Sequence, residues 1–423
     1  MRNGARTAIA LTSVFLMAAH ALLSEKAGAG PTQGELSLMW SRSDGHNATA
    51  WSVRWSPDGS MISQTFFDNS TLIWNSTTGR RVVKLGSHAN STAEVRTRCD
   101  GNQTCSITEH MPSRVSAWSP DGKRLAIGGD DTYIWIFNTT TWELEGKLAG
   151  HTGSVLTLDF SPDGKRLASG SGTDKVFMHN VPENAVRIWD MERMAGILTI
   201  EGEPRPKPGT LKHTDGVMEV RWSADGKRIV SASDDKTLKM WNATNGSLLF
   251  TLNGHAGGVL SVDWSPDGTK LISGSRDYKM ILWNASSGKQ MAKWSAPNCV
   301  RSVDWHQDGE IIVGSGVSEA MVMIRNATTG VVTQTLEDNK DAAGHPIGAI
   351  MSARWSPDGT KLAIASGKEM TIRVYGFGIS KPPSGSAIPT WLPGVIVFCS
   401  IIVAATFVTY ELMRRRVRKT ERR

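Results

Sequence analysis

Cysteine and histidine are sparse in this sequence, with four cysteines and ten histidines scattered over 423 residues. None falls in a C-x-x-C, H-E-x-x-H or calcium-loop spacing, so the sequence indicates no metal site. No glycine-rich loop of the Walker or dinucleotide-binding type stands out either. We therefore expect no metal, no cofactor and no small-molecule substrate, and we find no single catalytic constellation.

Excess positive charge is also missing from most of the chain. Residues 411–423 hold seven basic and two acidic residues, and residues 1–29 hold three basic and one acidic residue. These two ends account for the whole net charge of +7, so residues 30–410 are formally neutral. A nucleic-acid-binding protein usually presents a basic face, so we expect no nucleic-acid partner.

The N-terminal end has the layout of a secretory signal peptide. Arg2 and Arg6 precede an uncharged run over residues 7–23, and small-residue sites end at Ala21 and Ala29. A basic start, an apolar run and small residues at a cleavage site are typical of such signals. We predict a signal peptide over 1–29, cleaved near 21 or 29. An uncleaved anchor and a buried N-terminal helix are the alternatives.

The C-terminal end predicts a membrane span. Residues 391–410 read WLPGVIVFCSIIVAATFVTY, without a charge, and RRRVRKTERR ends the chain. About 20 apolar residues cross a bilayer, and basic clusters favour its cytoplasmic side. We predict a transmembrane helix over 391–412 after a linker over 377–390. The tail 413–423 is then cytoplasmic and the rest of the chain lies outside the cell. A C-terminal sorting signal that is later processed is the alternative.

A strand followed by a Ser-Pro-Asp-Gly turn recurs along the middle of the chain. WSVRWSPDG and VLSVDWSPDG are two examples, and each is followed by another apolar strand. The turns end at Gly59, Gly122, Gly164, Gly226, Gly268, Gly309 and Gly359, and they read Ser-Ala-Asp-Gly at Gly226 and His-Gln-Asp-Gly at Gly309. The shorter spacings between them are 41 or 42 residues, the length of a four-stranded propeller blade.

Further residues at fixed positions make these units resemble the WD-repeat family. Gly-His pairs such as Gly254-His255 come before a unit, and Trp-Asn pairs such as Trp283-Asn284 close it. The resemblance covers residues 34–376 and implies an all-β, seven-bladed WD40 propeller. The strand at about 35–41 is expected to complete the last blade and close the ring, since that unit otherwise lacks its fourth strand.

Two sets of residues could be mistaken for hydrolase sites. The resemblance instead implies a structural hydrogen-bond network inside each blade. The two sets are His213, Ser231, Asp235 and Trp241, and His255, Ser273, Asp277 and Trp283. A catalytic set would occur once, whereas this pattern repeats. The acidic position is assigned in every unit except the third; its residues are Asp68, Asp131, Asp235, Asp277, Glu319 and Glu369.

Ten Asn-x-Ser/Thr sequences predict N-glycosylation of an exterior protein. They begin at Asn47, Asn69, Asn75, Asn90, Asn102, Asn138, Asn242, Asn245, Asn284 and Asn326. A turn preference of Asn and Thr is the alternative explanation for some of them. For this exterior location we predict a Cys99–Cys105 disulfide that closes a small loop, and two unpaired surface thiols are the alternative. Cys299 is expected to be a buried thiol.

The family resemblance also implies two faces. The Ser-Pro-Asp-Gly turns and the Trp-Asn turns should share the bottom face, which the linker places toward the membrane. Four insertions (86–112, 174–186, 201–213 and 338–346) belong to the top face, where long loops usually carry binding function. We therefore predict a cell-surface scaffold or receptor whose top face binds a protein or peptide. The alternatives are an exterior propeller enzyme, such as a quinone-cofactor dehydrogenase or a hydrolase, and an envelope assembly factor.

Overall fold

Short strands joined by tight turns form the protein, and no helix occurs among the residues that the computed structural model describes. These residues are 35–43, 48–85, 92–99, 103–110, 113–172, 183–200, 212–308, 310–315, 321–336, 349–367 and 370–377. Over this part of the chain no helix is long and apolar enough to cross a membrane. The predicted signal peptide, linker, membrane span and tail lie outside the described residues.

Seven four-stranded antiparallel sheets, or blades, are formed by the described residues. Blade 1 contains β2 (Ala50–Trp55), β3 (Met61–Phe66), β4 (Thr71–Asn75) and β5 (Arg81–Leu85). Blade 2 contains β8 (Ser113–Trp118), β9 (Arg124–Gly129), β10 (Ile134–Asn138) and β11 (Leu144–Leu148). Blade 3 contains β12 (Ser154–Phe160), β13 (Arg166–Gly172), β14 (Val186–Asp190) and β15 (Ala195–Ile200).

Blades 4 to 7 repeat this order. Blade 4 contains β16 (Val217–Trp222), β17 (Arg228–Ser233), β18 (Thr237–Asn242) and β19 (Leu248–Asn253). Blade 5 contains β20 (Val259–Trp264), β21 (Lys270–Ser275), β22 (Lys279–Asn284) and β23 (Gln290–Ser295). Blade 6 contains β24 (Val300–Trp305), β25 (Glu310–Ser315), β26 (Val322–Asn326) and β27 (Val332–Leu336). Blade 7 contains β28 (Ile350–Trp355), β29 (Lys361–Ser366), β30 (Thr371–Phe377) and β1 (Leu36–Ser43).

The ring closes through the two ends of the repeat region, as the sequence predicts. β1 pairs antiparallel with β30, with Trp40 opposite Val374. The first strand of each blade also contacts the first strand of the next, and β28 of blade 7 contacts β2 of blade 1. The seven innermost strands therefore surround a central channel in a closed β-propeller.

The hydrophobic core lies between neighbouring blades. Val217, Val220 and Trp222 of blade 4 pack in one cluster with Val186 and Ile188 of blade 3, and all five side chains are buried. Each blade therefore buries its apolar faces only with a neighbour on both sides, which is why ring closure matters for stability.

One insertion contains strands that the sequence does not predict. β6 (Thr92–Cys99) and β7 (Gln103–His110) form a separate two-stranded hairpin between blades 1 and 2. Its register places Cys99 opposite Gln103 and Cys105 opposite Thr97. The side chains of this hairpin lie outside the described part, so the Cys99–Cys105 disulfide stays a prediction. Cys299 is a free thiol, and it is half-buried rather than buried as expected.

A buried chain of hydrogen bonds joins the four singled-out residues of blade 4. Trp241 donates its Nε1–H to Ser231 Oγ at 2.8 Å, and Ser231 Oγ lies 2.7 Å from His213 Nε2. His213 Nδ1 lies 2.7 Å from Asp235 Oδ2, which also accepts the Thr214 amide. Every side-chain nitrogen and oxygen of these four residues thus has a hydrogen-bond partner, which fixes one packing of the blade interior.

Blade 5 repeats the arrangement of blade 4. The distances are 2.8 Å from Trp283 to Ser273, 2.8 Å from Ser273 to His255 and 3.0 Å from His255 to Asp277. Ser231 and Ser273 are completely buried, so no substrate can reach either hydroxyl in the folded blade.

Blade 3 carries the same network, and the expectation that it lacks the acidic residue was wrong. Glu183 lies six residues before Trp189 and accepts from His151 Nδ1 at 2.9 Å. Ser169 completes the chain to Trp189 Nε1 at 2.8 Å. The longer glutamate side chain fills the position that aspartate occupies in blades 4 and 5.

Blades 1 and 6 replace parts of this network with other hydrogen bonds, because Gln64 stands at the serine position and Arg325 at the tryptophan position. In blade 1, Trp74 Nε1 donates to Gln64 Oε1 at 3.0 Å. In blade 6, Arg325 replaces the tryptophan and donates to the carbonyl oxygens of Gly330 and Ser295, both at 2.8 Å.

We expect acid to destabilise the fold through its network histidines. Burial lowers the pKa of His151, His213 and His255 from the ordinary value of 6.5, against the opposing effect of their carboxylate partners. The unfolded chain then binds protons that the folded chain does not, so the free energy of unfolding should decrease as pH falls below about 6.5. Each histidine can contribute up to about 1.4 kcal/mol per pH unit.

Urea unfolding between pH 7.5 and 5.5 measures this slope in the wild type and in His213→Gln. The slope should be shallower in the variant, and the difference should approach about 1.4 kcal/mol per pH unit only at the acid end of this range. Comparing the two proteins isolates His213 from Asp263, whose pKa burial raises to about 7 and whose effect on stability has the opposite sign. Equal slopes would contradict the expectation.

Candidate functional site

Each innermost strand carries a β-bulge at the same place, near its start. In blade 4, for example, the pairing with β17 skips from Val217 to Glu219 and leaves Met218 unpaired. A bulge re-aims the extra side chain away from the ladder. The seven bulged residues line one cavity at the channel mouth and are called the upper ring: Trp51, Arg114, Leu156, Met218, Leu260, Arg301 and Met351.

Two more rings follow the upper ring toward the Ser-Pro-Asp-Gly turns. The middle ring is Ser52, Val115, Thr157, Glu219, Ser261, Ser302 and Ser352. The lower ring, directly before the aromatic residue of each turn signal, is Arg54, Ala117, Asp159, Arg221, Asp263, Asp304 and Arg354. Small hydroxyl side chains dominate the middle ring, and charges of both signs dominate the lower ring.

Middle-ring and lower-ring side chains bind the backbone of the next blade. Thr157 Oγ1 accepts the Val220 amide at 3.0 Å, and Ser261 Oγ accepts the Val303 amide at 3.0 Å. Asp159 Oδ2 accepts the Trp222 amide at 2.7 Å. The innermost edge of a blade has no fifth strand, so these side chains satisfy amides that would otherwise be buried without a partner.

Glu219 is the hub of the channel. Its Oε1 lies 2.7 Å from the Nη2 of Arg221, 2.7 Å from the Nη2 of Arg354 and 3.3 Å from the Nη2 of Arg54. Its Oε2 accepts the Ser261 hydroxyl at 2.5 Å and the Val262 amide at 3.1 Å. One carboxylate thereby connects blades 1, 4, 5 and 7.

The charged groups of this cluster shift one another's pKa values. Burial opposes ionisation of Glu219, but Arg221, Arg354 and Arg54 outweigh it and lower its pKa to about 2. Burial, followed by repulsion from Arg221 and Arg354, lowers the pKa of Arg54 to about 9. Arg54 also has the longest of the three distances to Glu219, so both the distance and the lowered pKa indicate that its ion pair is the weakest of the three.

The polar cluster in the channel is held together by its own ion pairs, in which Glu219 binds Arg54, Arg221 and Arg354. The cavity at its mouth is about 80 Å³, whereas small-molecule and cofactor sites usually measure about 300–1,000 Å³. Within the described residues the cavity can therefore take one small group from above, and the ion pairs of Glu219 fill the channel below.

The predicted bottom turns lie together on one face. In blade 1, the Ser76 amide donates to the Ser60 carbonyl, and Ser76 Oγ donates to the Gly59 carbonyl. The Trp-Asn turn thus packs directly on the Ser-Pro-Asp-Gly turn. The same backbone bond recurs in blade 4, from the Ala243 amide to the Lys227 carbonyl.

Sequon asparagines on these turns accept two backbone N–H groups through their side-chain Oδ1. Asn242 Oδ1 accepts the amide of Thr244 at 2.8 Å and that of Asn245 at 3.3 Å. Asp190 makes the same two bonds in blade 3. The same type of turn is made by Asn75, Asn138, Asn284 and Asn326. Because a backbone N–H group can only donate, the acceptor atom Oδ1 must face the turn, and Nδ2 points away from these donors.

The sequon asparagines differ in exposure, and Asn69 is buried. This residue is only 2% exposed, and its Oδ1 accepts from Ser113 Oγ at 3.2 Å. Asn245 is exposed, whereas Asn138 donates its Nδ2 to Glu145 at 2.9 Å. Asn47, Asn90 and Asn102 lie outside the described residues. So do the top-face insertions at 201–211 and 338–346.

We expect Glu219→Gln to destabilise the propeller by about 3–5 kcal/mol, because it leaves three buried guanidinium groups without their shared carboxylate. Urea unfolding at neutral pH measures the loss. Glu192→Gln, at an exposed position, is the matched control and should change stability by less than about 0.5 kcal/mol. An equal effect of the two substitutions would refute the role of Glu219.

Comparisons with known proteins agree with this architecture. The family model described as "WD domain, G-beta repeat" (WD40) matches residues 39–75, 101–138, 142–190, 207–242, 246–284 and 333–376. The unmatched stretch between 284 and 333 contains β23 of blade 5 and β24, β25 and β26 of blade 6, where Arg325 stands at the tryptophan position.

Several curated proteins are similar over about half of this chain. Protein FIZZY-RELATED 3 of Arabidopsis thaliana is 26% identical over 47% of this chain and 51% of its own length. Periodic tryptophan protein 2 of the same plant is 24% identical over 50% of this chain and 24% of its own length. SIR4-interacting protein SIF2 of Saccharomyces cerevisiae is 29% identical over 52% of this chain and 37% of its own length.

The matches therefore span about half or less of each of these relatives. The six repeat matches cover more than half of this chain, and the described residues close into a propeller of four-stranded blades. On this evidence the chain belongs to the WD40-repeat family.

Proposed function

We propose that this protein is a cell-surface, membrane-tethered interaction scaffold that binds a protein partner at the upper ring of its propeller. The observation that carries the proposal is the contrast along the channel. Seven bulged side chains, whose identities the strand ladder does not need, surround the mouth, while the lower half is filled by ion pairs. WD40 propellers are suited to protein binding, and one relative is named for an interaction with SIR4.

We infer a non-catalytic role from the state of the polar residues. The serine–histidine–acid sets are buried and repeated in blades 3, 4 and 5. The channel charges are bound to one another and to the backbone of neighbouring blades. The mouth is too small for a quinone or a similar cofactor.

The exterior location rests on the sequence and is supported by the turn geometry. Residues 391–410 have the length and composition of a membrane span, and 411–423 are strongly basic. At Asn242 and most of the other bottom-turn asparagines the turn uses only Oδ1, so aspartate would serve equally well, as it does at Asp190. Repeated choice of asparagine with Ser/Thr two residues later favours glycosylation over a turn preference alone.

We expect glycans at bottom-face asparagines such as Asn242 and none at the buried Asn69. Asn242→Asp should remove one glycan and leave stability unchanged within about 0.5 kcal/mol, because the carboxylate oxygen can accept the same two amides. Mass spectrometry of glycopeptides from the native full-length chain, with thermal unfolding, measures both effects.

Asn253→Asp is the matched control, since Asn253 is exposed but begins no sequon. It should change neither the glycan content nor the stability. Bottom-face sites that are all bare on the native protein would refute the glycosylated, exterior location.

The binding surface can be tested on intact cells with a crosslinker that does not cross membranes. Met218→Glu places an extra charge in the upper ring and should abolish capture of the partner that the wild type crosslinks. Met291→Glu, on an exposed outer strand, should leave capture unchanged. Equal capture by Met218→Glu and the wild type would exclude the upper ring as the binding surface.

A further inference from the structure

Two guanidinium groups of the upper ring stack on one tryptophan but differ in their ion pairing. The Cζ atoms of Arg114 and Arg301 lie 4.4 and 4.9 Å from the centroid of the Trp51 ring. Arg114 forms a two-bond pair with Asp130, at 2.9 and 2.8 Å. Arg301 has no ion pair or hydrogen bond among the described residues.

The acids that influence this region are already engaged. Asp130 is bound by Arg114, and Asp234 is bound by Arg276 at 3.1 and 3.4 Å. Burial, followed by repulsion from Arg276 and Arg114, lowers the pKa of Arg301 to about 10. Arg301 is still charged at neutral pH, so it is a cation that no acid of the described part of the chain pairs with. A poorly solvated charge without a partner costs stability, and a ligand anion would remove that cost.

The surroundings of Arg301 restrict the kind of anion. Leu156, Met218, Leu260 and Met351 supply apolar surface around the same cavity. A space of about 80 Å³ admits a carboxylate with its short apolar stem but not a nucleotide. The guanidinium fork matches the two oxygens of a carboxylate, and residues 30–410 have no net charge to attract a polyanion.

We propose that Arg301, held over the Trp51 ring, anchors an aspartate or glutamate side chain of a partner segment whose neighbouring apolar side chains pack on the upper ring. This inference rests on the proposed scaffold function and names the chemistry of its partner. Arg114 is a positioning residue here, because its pair with Asp130 holds it over the same Trp51 ring.

A phage-displayed library of random heptapeptides, selected on the purified full-length protein, tests the proposal without a known partner. Selected peptides should share an aspartate or glutamate flanked by apolar residues. The affinity of a selected peptide, measured by fluorescence polarisation, should fall about tenfold or more with Arg301→Gln. It should fall by a smaller factor with Arg301→Lys, which keeps the charge but loses the two-point geometry of the guanidinium. Arg193→Gln is the matched control, since Arg193 is exposed on a bottom turn and pairs there with Asp190, and it should have little effect.

A double-mutant cycle separates a direct contact from a change in folding. Replacing the acidic residue of the peptide by its amide should weaken binding to the wild type and have no further effect on Arg301→Gln. Additive effects of the two changes would overturn the carboxylate contact. Arg301→Gln should also raise the unfolding temperature of the peptide-free protein, because it removes an uncompensated cation.

The outcomes also separate this inference from the scaffold function. Neutral selected peptides whose binding is lost in Met218→Glu would overturn the carboxylate anchor and leave the upper ring as a binding surface. Peptides that bind equally to the wild type, Met218→Glu and Arg301→Gln would overturn both.

Discussion

The fold depends on how the open inner edges of its blades are satisfied. Each blade ends at the channel with a strand that has no further strand to pair with, and neighbouring blades diverge from there. Side chains take over the role of a strand: hydroxyls of the middle ring and carboxylates of the lower ring accept the amides of the next blade. Glu219 does this for Val262 and also gathers three arginines from blades 1, 4 and 7. Its ionised state is therefore a condition for a well-packed channel.

Much of the fold follows from the sequence because its signals are local and repeated. The Ser-Pro-Asp-Gly turns, the histidine–tryptophan spacing and the missing strand of the last unit predict the blades, the buried networks and the closure by β1. Glu183 was missed although it stands at the expected spacing, because the long insertion before it obscures the alignment of the third unit.

The channel could not be predicted in the same way, because its interactions join residues far apart in the chain. Glu219 and Arg354 are 135 positions apart, yet Glu219 Oε1 lies 2.7 Å from Arg354 Nη2. A signal was nevertheless visible, since the residue before the aromatic of each turn signal is arginine in three units and aspartate in three others. Burial of Asn69 was equally hidden, because a sequon reports composition and not accessibility.

The recurring bulge has a consequence for how such a protein changes over time. An ordinary position on an inner strand must suit its ladder, its neighbour blade and the channel at once. The bulged residue is released from the ladder, so tryptophan, arginine, leucine and methionine all occur there on nearly identical backbones. Partner preference and structural stability thus depend on different residues. Substitutions at the mouth can therefore alter which partner is recognised while the rest of the ring keeps its shape.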